Sequence, residues 1–426
     1  MRFMNLMPNR WRAPGALRAS GMGWVGLFLL ICTATTLGGA KAHAAEHNAA
    51  PSQGSNGFDL AAIERERVVH AADLYLIEPV VTITAFPAER SAGGPHDFFS
   101  EGDYWWPDPD QEDGLPYIRR DGQSNPDNFV KHRLAMWRLS VHVPALTAAY
   151  LLTDDPRYAD HAAAHLEAWF VDEATRMNPD LRYGQAIPGR TTGRSIGIID
   201  TLVLAEVARA AKVLKHRQAL PGDTLEGIED WFAAYLDWLT TSSMGRRERD
   251  HPNNHSTAWL VQVAAFADFL DDQARLDEAR DRLREIIIPN QMDGDGRFHR
   301  EIRRTKPYGY SLFNWDLLGI LHQLLSTPDD DLWRFSTDDG RGMALAMEFI
   351  VPYIADKDSW PYDPDIMYHQ EWPMRHPTLL FAGIAYDRPE FIALWKQLPA
   401  DSTVHEVIRT FPVRQPLLWL PDTPPD

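Results

Sequence analysis

The stretch Arg249-Asp250-His251-Pro252-Asn253-Asn254-His255-Ser256-Thr257-Ala258-Trp259 decides how the chain is read. A polar turn ends in two asparagines, and an apolar run with helical spacing follows from Trp259 to Leu270. Asn253 or Asn254 is suited to cap that helix, its side-chain oxygen accepting from a free backbone amide. His255 falls in the first turn, at the positive end of the helix dipole. Two amides and an imidazole beside free backbone donors make a receptor for a carboxylate. The same residues describe an ordinary capped helix start equally well, so the stretch needs support from the rest of the chain.

The helical period extends in both directions. Ala61–Leu76, Phe129–Leu152 and Arg157–Phe170 read as helices, the last with Tyr158, Ala162, Leu166 and Trp169 at helical spacing. Arg194–Leu214 is another, and Asp223 with Glu226 forms a capping box ahead of Leu225, Ile228, Trp231 and Phe232. Arg275–Ile287, Ser311–Leu325, Gly342–Ile354 and Pro389–Leu398 continue the pattern. Two segments break it. The β-branched run Val80-Val81-Thr82-Ile83-Thr84 predicts an extended segment. Residues 93–128 form a long irregular stretch rich in Gly, Pro, Asp and aromatics, and such length in a compact domain points to function. Helices joined by alternating short and long loops, without a clean repeat, predict an all-α fold. The expected form is an (α/α) toroid or incomplete α/α barrel with long cleft-forming loops.

The N-terminus carries Arg2, Arg10, Arg12 and Arg18, then an apolar segment from Gly21 to about Leu37, then Ala42-His43-Ala44. This predicts a signal peptide over 1–44, a flexible linker over 45–60, and a single catalytic domain over 61–426 in a periplasmic or secreted protein. Cys32, the one cysteine, falls in the apolar segment, so no disulfide framework is expected. The formal charge of the 426 residues is −18, and residues 1–44 hold five basic and no acidic side chains, so the remainder is more acidic still. That balance argues against nucleic acid. An anionic substrate would need a local arginine cluster to overcome the repulsive field. No membrane anchor is expected, and the oligomeric state is open.

Three further constellations carry chemistry. Glu301-Ile302-Arg303-Arg304-Thr305-Lys306-Pro307-Tyr308-Gly309-Tyr310-Ser311 sets two tyrosines among cations, where nearby positive charge favours a phenolate and hence a base. The run from Met177 to Arg194 offers Arg182, Tyr183, Gln185, Arg190 and Arg194 ahead of a helix, suited to carboxylates and lacking the phosphate-loop pattern. Tyr104-Trp105-Trp106, with Trp360, Tyr362, Tyr368 and Trp372, offers rings for stacking on sugars, although each alone is more often core. Glu248 lies seven residues before His255 and is placed to orient its ring, with Pro252 interrupting the segment. Asp293-Gly294-Asp295-Gly296 reads as a turn rather than a calcium loop, and no histidine spacing suggests a metal. Asp363, Asp365, Glu371 and Glu348 leave a glycoside hydrolase open, without singling out a carboxylate pair.

Four of these stretches together resemble the alginate lyase family of helical-toroid polysaccharide lyases: Ser100–Pro109, Gln185–Arg194, Asn253–His255 and Arg304–Ser311. The resemblance runs from about Val81 to Leu325. It implies an α/α toroid and β-elimination on a uronic-acid polymer, with no cofactor and no metal. It implies Asn254, His255, Arg304 and Tyr310 as catalytic residues, with Arg303 as the alternative arginine. Gln185, Arg190, Arg194, Tyr183, Trp105 and Trp106 would bind the anionic polysaccharide. Ser311 stands where the alginate-only branch carries a histidine, which leaves the substrate open among polymannuronate, mixed alginate and glucuronan.

Overall fold

The computed structural model describes residues 58–420. The expected signal segment and nearly all of the expected linker lie outside them. In chain order the helices are α1 (Leu60–Tyr75), α2 (Lys131–Thr153), α3 (Pro156–Phe170), α4 (Leu204–His216), α5 (Gly222–Thr241), α6 (Ser243–Arg249), α7 (Asn254–Phe269) and α8 (Gln273–Arg282). Two single turns, α9 (Ile288–Gln291) and α10 (His299–Ile302), lead to α11 (Pro307–Leu325). Then come α12 (Met343–Ala355), α13 (Pro377–Ala385), α14 (Pro389–Gln397) and α15 (His405–Thr410).

Packing sorts these helices into two layers. An inner row runs α2, α4, α7, α11, α13, each against the next. Outside it, α1 and α3 lie on α2, α5 bridges α3 and α7, α8 lies on α7, and α14 lies on α13. This alternation is the α/α toroid. Composition explains the sorting. α7 buries 14 of its 16 residues and therefore sits between neighbours on every side. α8 buries only Leu276, Ala279 and Arg280 and stays on the outside. Side chains such as Leu317 and Leu321, wholly buried on α11, contribute about 1.5–3 kcal/mol each. α11 meets α13 through Gly319, where a Cβ would come within 2.1 Å of Thr378 Oγ1.

Strands are short. β1 (Phe99–Glu101) pairs in parallel with β4 (Tyr183–Ala186), and β2 (Trp105–Trp106) pairs antiparallel with β3 (Ile118–Arg119). β4 carries one extra residue against β1, and Gln185 there adopts a left-handed φ of 50°. That bulge re-aims the Gln185 side chain.

Three expectations are corrected. Val80–Thr84 does not form a strand; Ile83–Ala85 is a 3-10 turn with Ile83 buried, because no partner strand is offered to its backbone. The Asp223/Glu226 capping box does not form. α5 starts at Gly222, so Asp223 lies inside the first turn, where its charge complements the helix dipole. Arg194–Leu214 is broken: Ser195–Thr201 is a 3-10 stretch and α4 begins only at Leu204. Gly197 is pressed against the Gly184 backbone, where a Cβ would come within 2.5 Å of the Gly184 carbonyl carbon, and the contact holds that segment on β4. Among the described residues no helix is long and apolar enough to cross a membrane.

Candidate active site

The amino ends of α7 and α11 open into one cleft of about 270 Å³. Both helices point a positive dipole end at it, which favours an anion, but their first backbone amides are already taken by Glu301, Asn253 and Asp365, so side chains must supply the donors. Asn253 caps α7, its Oδ1 accepting from His255 N at 3.4 Å. α11 begins at Pro307, four residues before the expected start, so Tyr310 sits in its first turn. A remote carboxylate holds that turn: Asp365 Oδ1 accepts from Tyr308 N at 2.8 Å and Oδ2 from Gly309 N at 2.9 Å. Gln291 links the two helix starts, donating to Asn253 O at 3.0 Å and accepting from Asn314 Nδ2 at 3.0 Å.

Asn254, His255, Arg304 and Tyr310 all line this cleft. Each is held from behind by a carboxylate or an aromatic. Glu301 accepts from Asn254 N at 2.9 Å and from its Nδ2 at 2.7 Å, which fixes the amide's orientation. Burial pushes the Glu301 carboxyl up to about 6 against the pull of those hydrogen bonds and of Arg304. His255 Nδ1 donates to Glu248 Oε1 at 2.6 Å, so Nε2 is the ring atom left for the cleft. Arg304 meets Asp121 with two bonds, Nε to Oδ2 at 3.2 Å and Nη2 to Oδ1 at 2.9 Å, and its guanidinium lies 4.7 Å from the Tyr310 ring centre. Burial works against the Arg304 charge, but Asp121 and Tyr310 outweigh it and strengthen it.

Tyr310 is 8% exposed, and its hydroxyl lies 2.6 Å from that of Tyr104. Burial holds the phenol above its ordinary range, opposed by Lys306 and then Arg304. The expectation that flanking cations favour the phenolate is therefore corrected for the resting site: the cations are present, but desolvation outweighs them. Burial also holds Tyr104 well up, and Arg409 Nη2 donates to its hydroxyl at 3.2 Å.

The other anticipated residues divide. Gln185, Arg194 and Trp105 line the cleft. Arg194 donates to Gln185 O at 2.8 Å and Oε1 at 3.0 Å, and burial lowers its guanidinium to about 10. Arg190 lies 5.3 Å from the Trp105 ring centre but is turned to Tyr117 O, beside the cleft rather than in its wall. Trp106 donates to Gln123 O at 3.0 Å and lies under Arg120, outside the lining. Tyr183 is taken up by the close approach of Gly93 and by Arg182, and does not line the cleft. Arg303 is exposed and also outside it, because α10 ends there and turns the side chain to solvent. Glu248 is wholly buried and touches His255, so it is placed to orient the ring rather than to meet a ligand. Trp360 and Trp372 are buried, Trp360 in a cluster with Tyr308, Phe349 and Tyr353. Asp293–Gly296 is a turn closed by Asp293 N to Arg297 O, and among the described residues no group of His, Cys, Asp or Glu is arranged to hold a metal.

Several cleft residues had no local signal. His251, whose ring lies 4.8 Å from that of His255, is pushed down to about 4 by burial and by His255. Arg133 is buried between Asp103 and Asp200, both of which line the cleft, so neither carboxylate is free. Arg409 and Thr410 reach the cleft from α15, far along the chain.

The sequence matches the model of the family described as Alginate lyase over residues 82–360. Among solved structures, an alginate lyase from Bacteroides ovatus is similar at 30% identity and a TM-score of 0.73, over 82% of this chain and 93% of that one. Alginate lyase A1-III from Sphingomonas species A1, as a histidine-to-alanine variant complexed with tetrasaccharide, is similar in fold at 17% identity and a TM-score of 0.53. That likeness covers 87% of this chain and 100% of that one. Among curated proteins none matches the sequence.

Proposed function

The chain belongs to the alginate lyase family and is a polysaccharide lyase; from that premise we propose that it cleaves a 1,4-linked polyuronate, alginate or polymannuronate first and glucuronan second, with Tyr310 as its proton-transfer residue. The observation that carries the reading is the convergence of Asn254, His255, Arg304 and Tyr310 on one cleft. Asn254, the Arg304 Nη1 that Asp121 leaves over and, when the ring carries a proton on both nitrogens, His255 Nε2 neutralise the carboxylate of the sugar whose C4–O4 bond breaks. Withdrawal of that charge acidifies the adjacent C5–H, because the carbanion formed there spreads onto a carboxylate already held by donors. Tyr310 acts as the phenolate, its own proton having gone to solvent before the step: its oxygen takes the C5 proton, the electron pair forms the C4=C5 double bond, and the C4–O4 bond breaks. The same phenol then returns a proton to O4. In β-D-mannuronate and β-D-glucuronate the C5 hydrogen and O4 lie on one side of the ring, so one tyrosine serves both steps. For α-L-guluronate they lie on opposite sides, and His255 is then the better placed base.

Arg194, Gln185 and Trp105 extend the wall and fit the neighbouring carboxylate and sugar face. An N-terminal export signal and a periplasmic or secreted location complete the proposal, since the polymer is an extracellular material. A glycoside hydrolase would need two carboxylates flanking the bond, whereas the cleft's Asp103 and Asp200 are both tied to Arg133.

The test is to incubate the protein with polymannuronate, polyguluronate and glucuronan and to follow the ultraviolet absorbance of the unsaturated uronate end. Tyr310→Phe should abolish the signal with the fold intact. Near-normal turnover by Tyr310→Phe would overturn the assignment of the base.

A further inference from the structure

Behind the Tyr310 ring lies a cation that does not line the cleft. Lys306 is 2% exposed, and its ammonium lies 5.4, 5.2 and 5.3 Å from the ring centres of Tyr310, Tyr104 and Tyr368. Its carboxylate partner is Glu406, which α15 supplies from a hundred residues away, beyond the segment that matches the family. Glu406 is itself buried and also forms an ion pair with Arg409, its Oε2 2.7 Å from Arg409 Nε. A lysine enclosed by three phenol rings and one carboxylate is an expensive arrangement if its only use is to fasten α15 to α11, since a buried pair adds little over apolar packing.

We propose that Lys306 and Glu406 form a positioning pair that sets how readily Tyr310 releases its proton, Lys306 promoting the release and Glu406 limiting it. The proposal rests on Tyr310 being the base. Titratable and charged groups from three elements face Tyr310. From its own loop come Arg304, held by Asp121, and Lys306. From the turn before β2 comes the Tyr104 hydroxyl, which receives Arg409. From α15 comes Glu406. The signs agree with the geometry: burial raises the phenol, Lys306 leads the lowering influences ahead of Arg304, and Glu406 raises it. Burial opposes the Lys306 charge in turn, and Glu406 restores it.

A staple between helices and an electrostatic control are separated by the pH dependence of kcat/KM, measured on polymannuronate or glucuronan, whichever the wild type cleaves. Glu406→Gln leaves Lys306 unopposed, so the rising limb should move to lower pH by about one unit; Lys306→Met should move it to higher pH by about one unit, each a tenfold change in rate on the limb. The double variant should fall between them, and Lys306→Arg should keep the wild-type midpoint. Limbs that do not move, or that move in the same direction, overturn the proposal. If Lys306→Met does not fold, Glu406→Gln decides alone, and an unmoved or raised limb refutes. A live Tyr310→Phe variant, or a wild type that cleaves no polyuronate, would instead sink the assignment of the base.

Discussion

Replacing Glu301 with glutamine isolates what holds Asn254. The Glu301 side chain is buried and accepts both Asn254 donors, N at 2.9 Å and Nδ2 at 2.7 Å. Its carboxyl is pushed from 4.5 up to about 6, chiefly by burial. That displacement corresponds to about 2 kcal/mol. The folded value lies above the unfolded one, so the associated stability is fully present below about 4.5 and lost as pH rises through about 6. At neutral pH the protein therefore bears this cost to keep a carboxylate on Asn254. Glu301→Gln removes the buried charge, a gain of about 2 kcal/mol, but leaves one Asn254 donor without an acceptor, a loss of about 1–3 kcal/mol. Stability at pH 7 should change by no more than about 1 kcal/mol. Turnover should not be spared: an amide free to rotate misplaces the carboxylate receptor, and misplacement on that scale costs about 100-fold. In the wild type the same loss should appear as a separate acid limb near 6, below the limb that Tyr310 sets, where the protonated carboxyl stops accepting from Asn254. Asp365, also raised to about 6 by burial, caps α11 rather than α7, so Asp365→Asn should leave that limb in place. The assays are initial rates of unsaturated-end formation from pH 5 to 8 and urea unfolding at both ends of that range. A Glu301→Gln protein with wild-type kcat/KM, or one that keeps the wild-type acid limb, refutes the reasoning.

Three other predictions follow from the geometry. Arg304→Ala should lower kcat/KM about 100- to 1,000-fold by removing a donor to developing charge, while Arg303→Ala, exposed and off the cleft wall, should leave kinetics on the same polymer unchanged. His165 is buried with neither ring nitrogen partnered, and burial, then His161 and Arg138, pushes it down to about 3. Its folded value lies below the unfolded one, so the stability of the neutral ring is present above about 6.5 and lost as pH falls toward 3. His165→Phe should accordingly gain about 2 kcal/mol over the wild type at pH 5 relative to pH 7, read from urea midpoints. Gly319→Val should cost several kcal/mol and lower the melting temperature, because a Cβ there meets Thr378 Oγ1 at 2.1 Å where α11 and α13 touch.

The long helices were legible in the sequence, α13 of the inner row apart, because apolar positions recur with the helical period; the layer each occupies came from packing, with α7 and α11 buried on nearly every face and α8 not. Asn253, Asn254 and His255 were legible as a helix start for the same local reason, since a cap and its helix are neighbours in the chain. Tertiary structure alone decided which groups answer them. Glu301 reaches Asn254 across 47 positions, Asp121 reaches Arg304 across 183, and Glu406 reaches Lys306 across 100. A carboxylate that pairs at such separation leaves no spacing to read, and whether it faces solvent, a ligand or a guanidinium depends on how the inner helices converge. The resting state of Tyr310 shows the same division. Its cationic neighbours stand in the sequence, but the desolvation that outweighs them exists only once α11 is packed, because burial is a property of the assembled fold and not of any local run of residues.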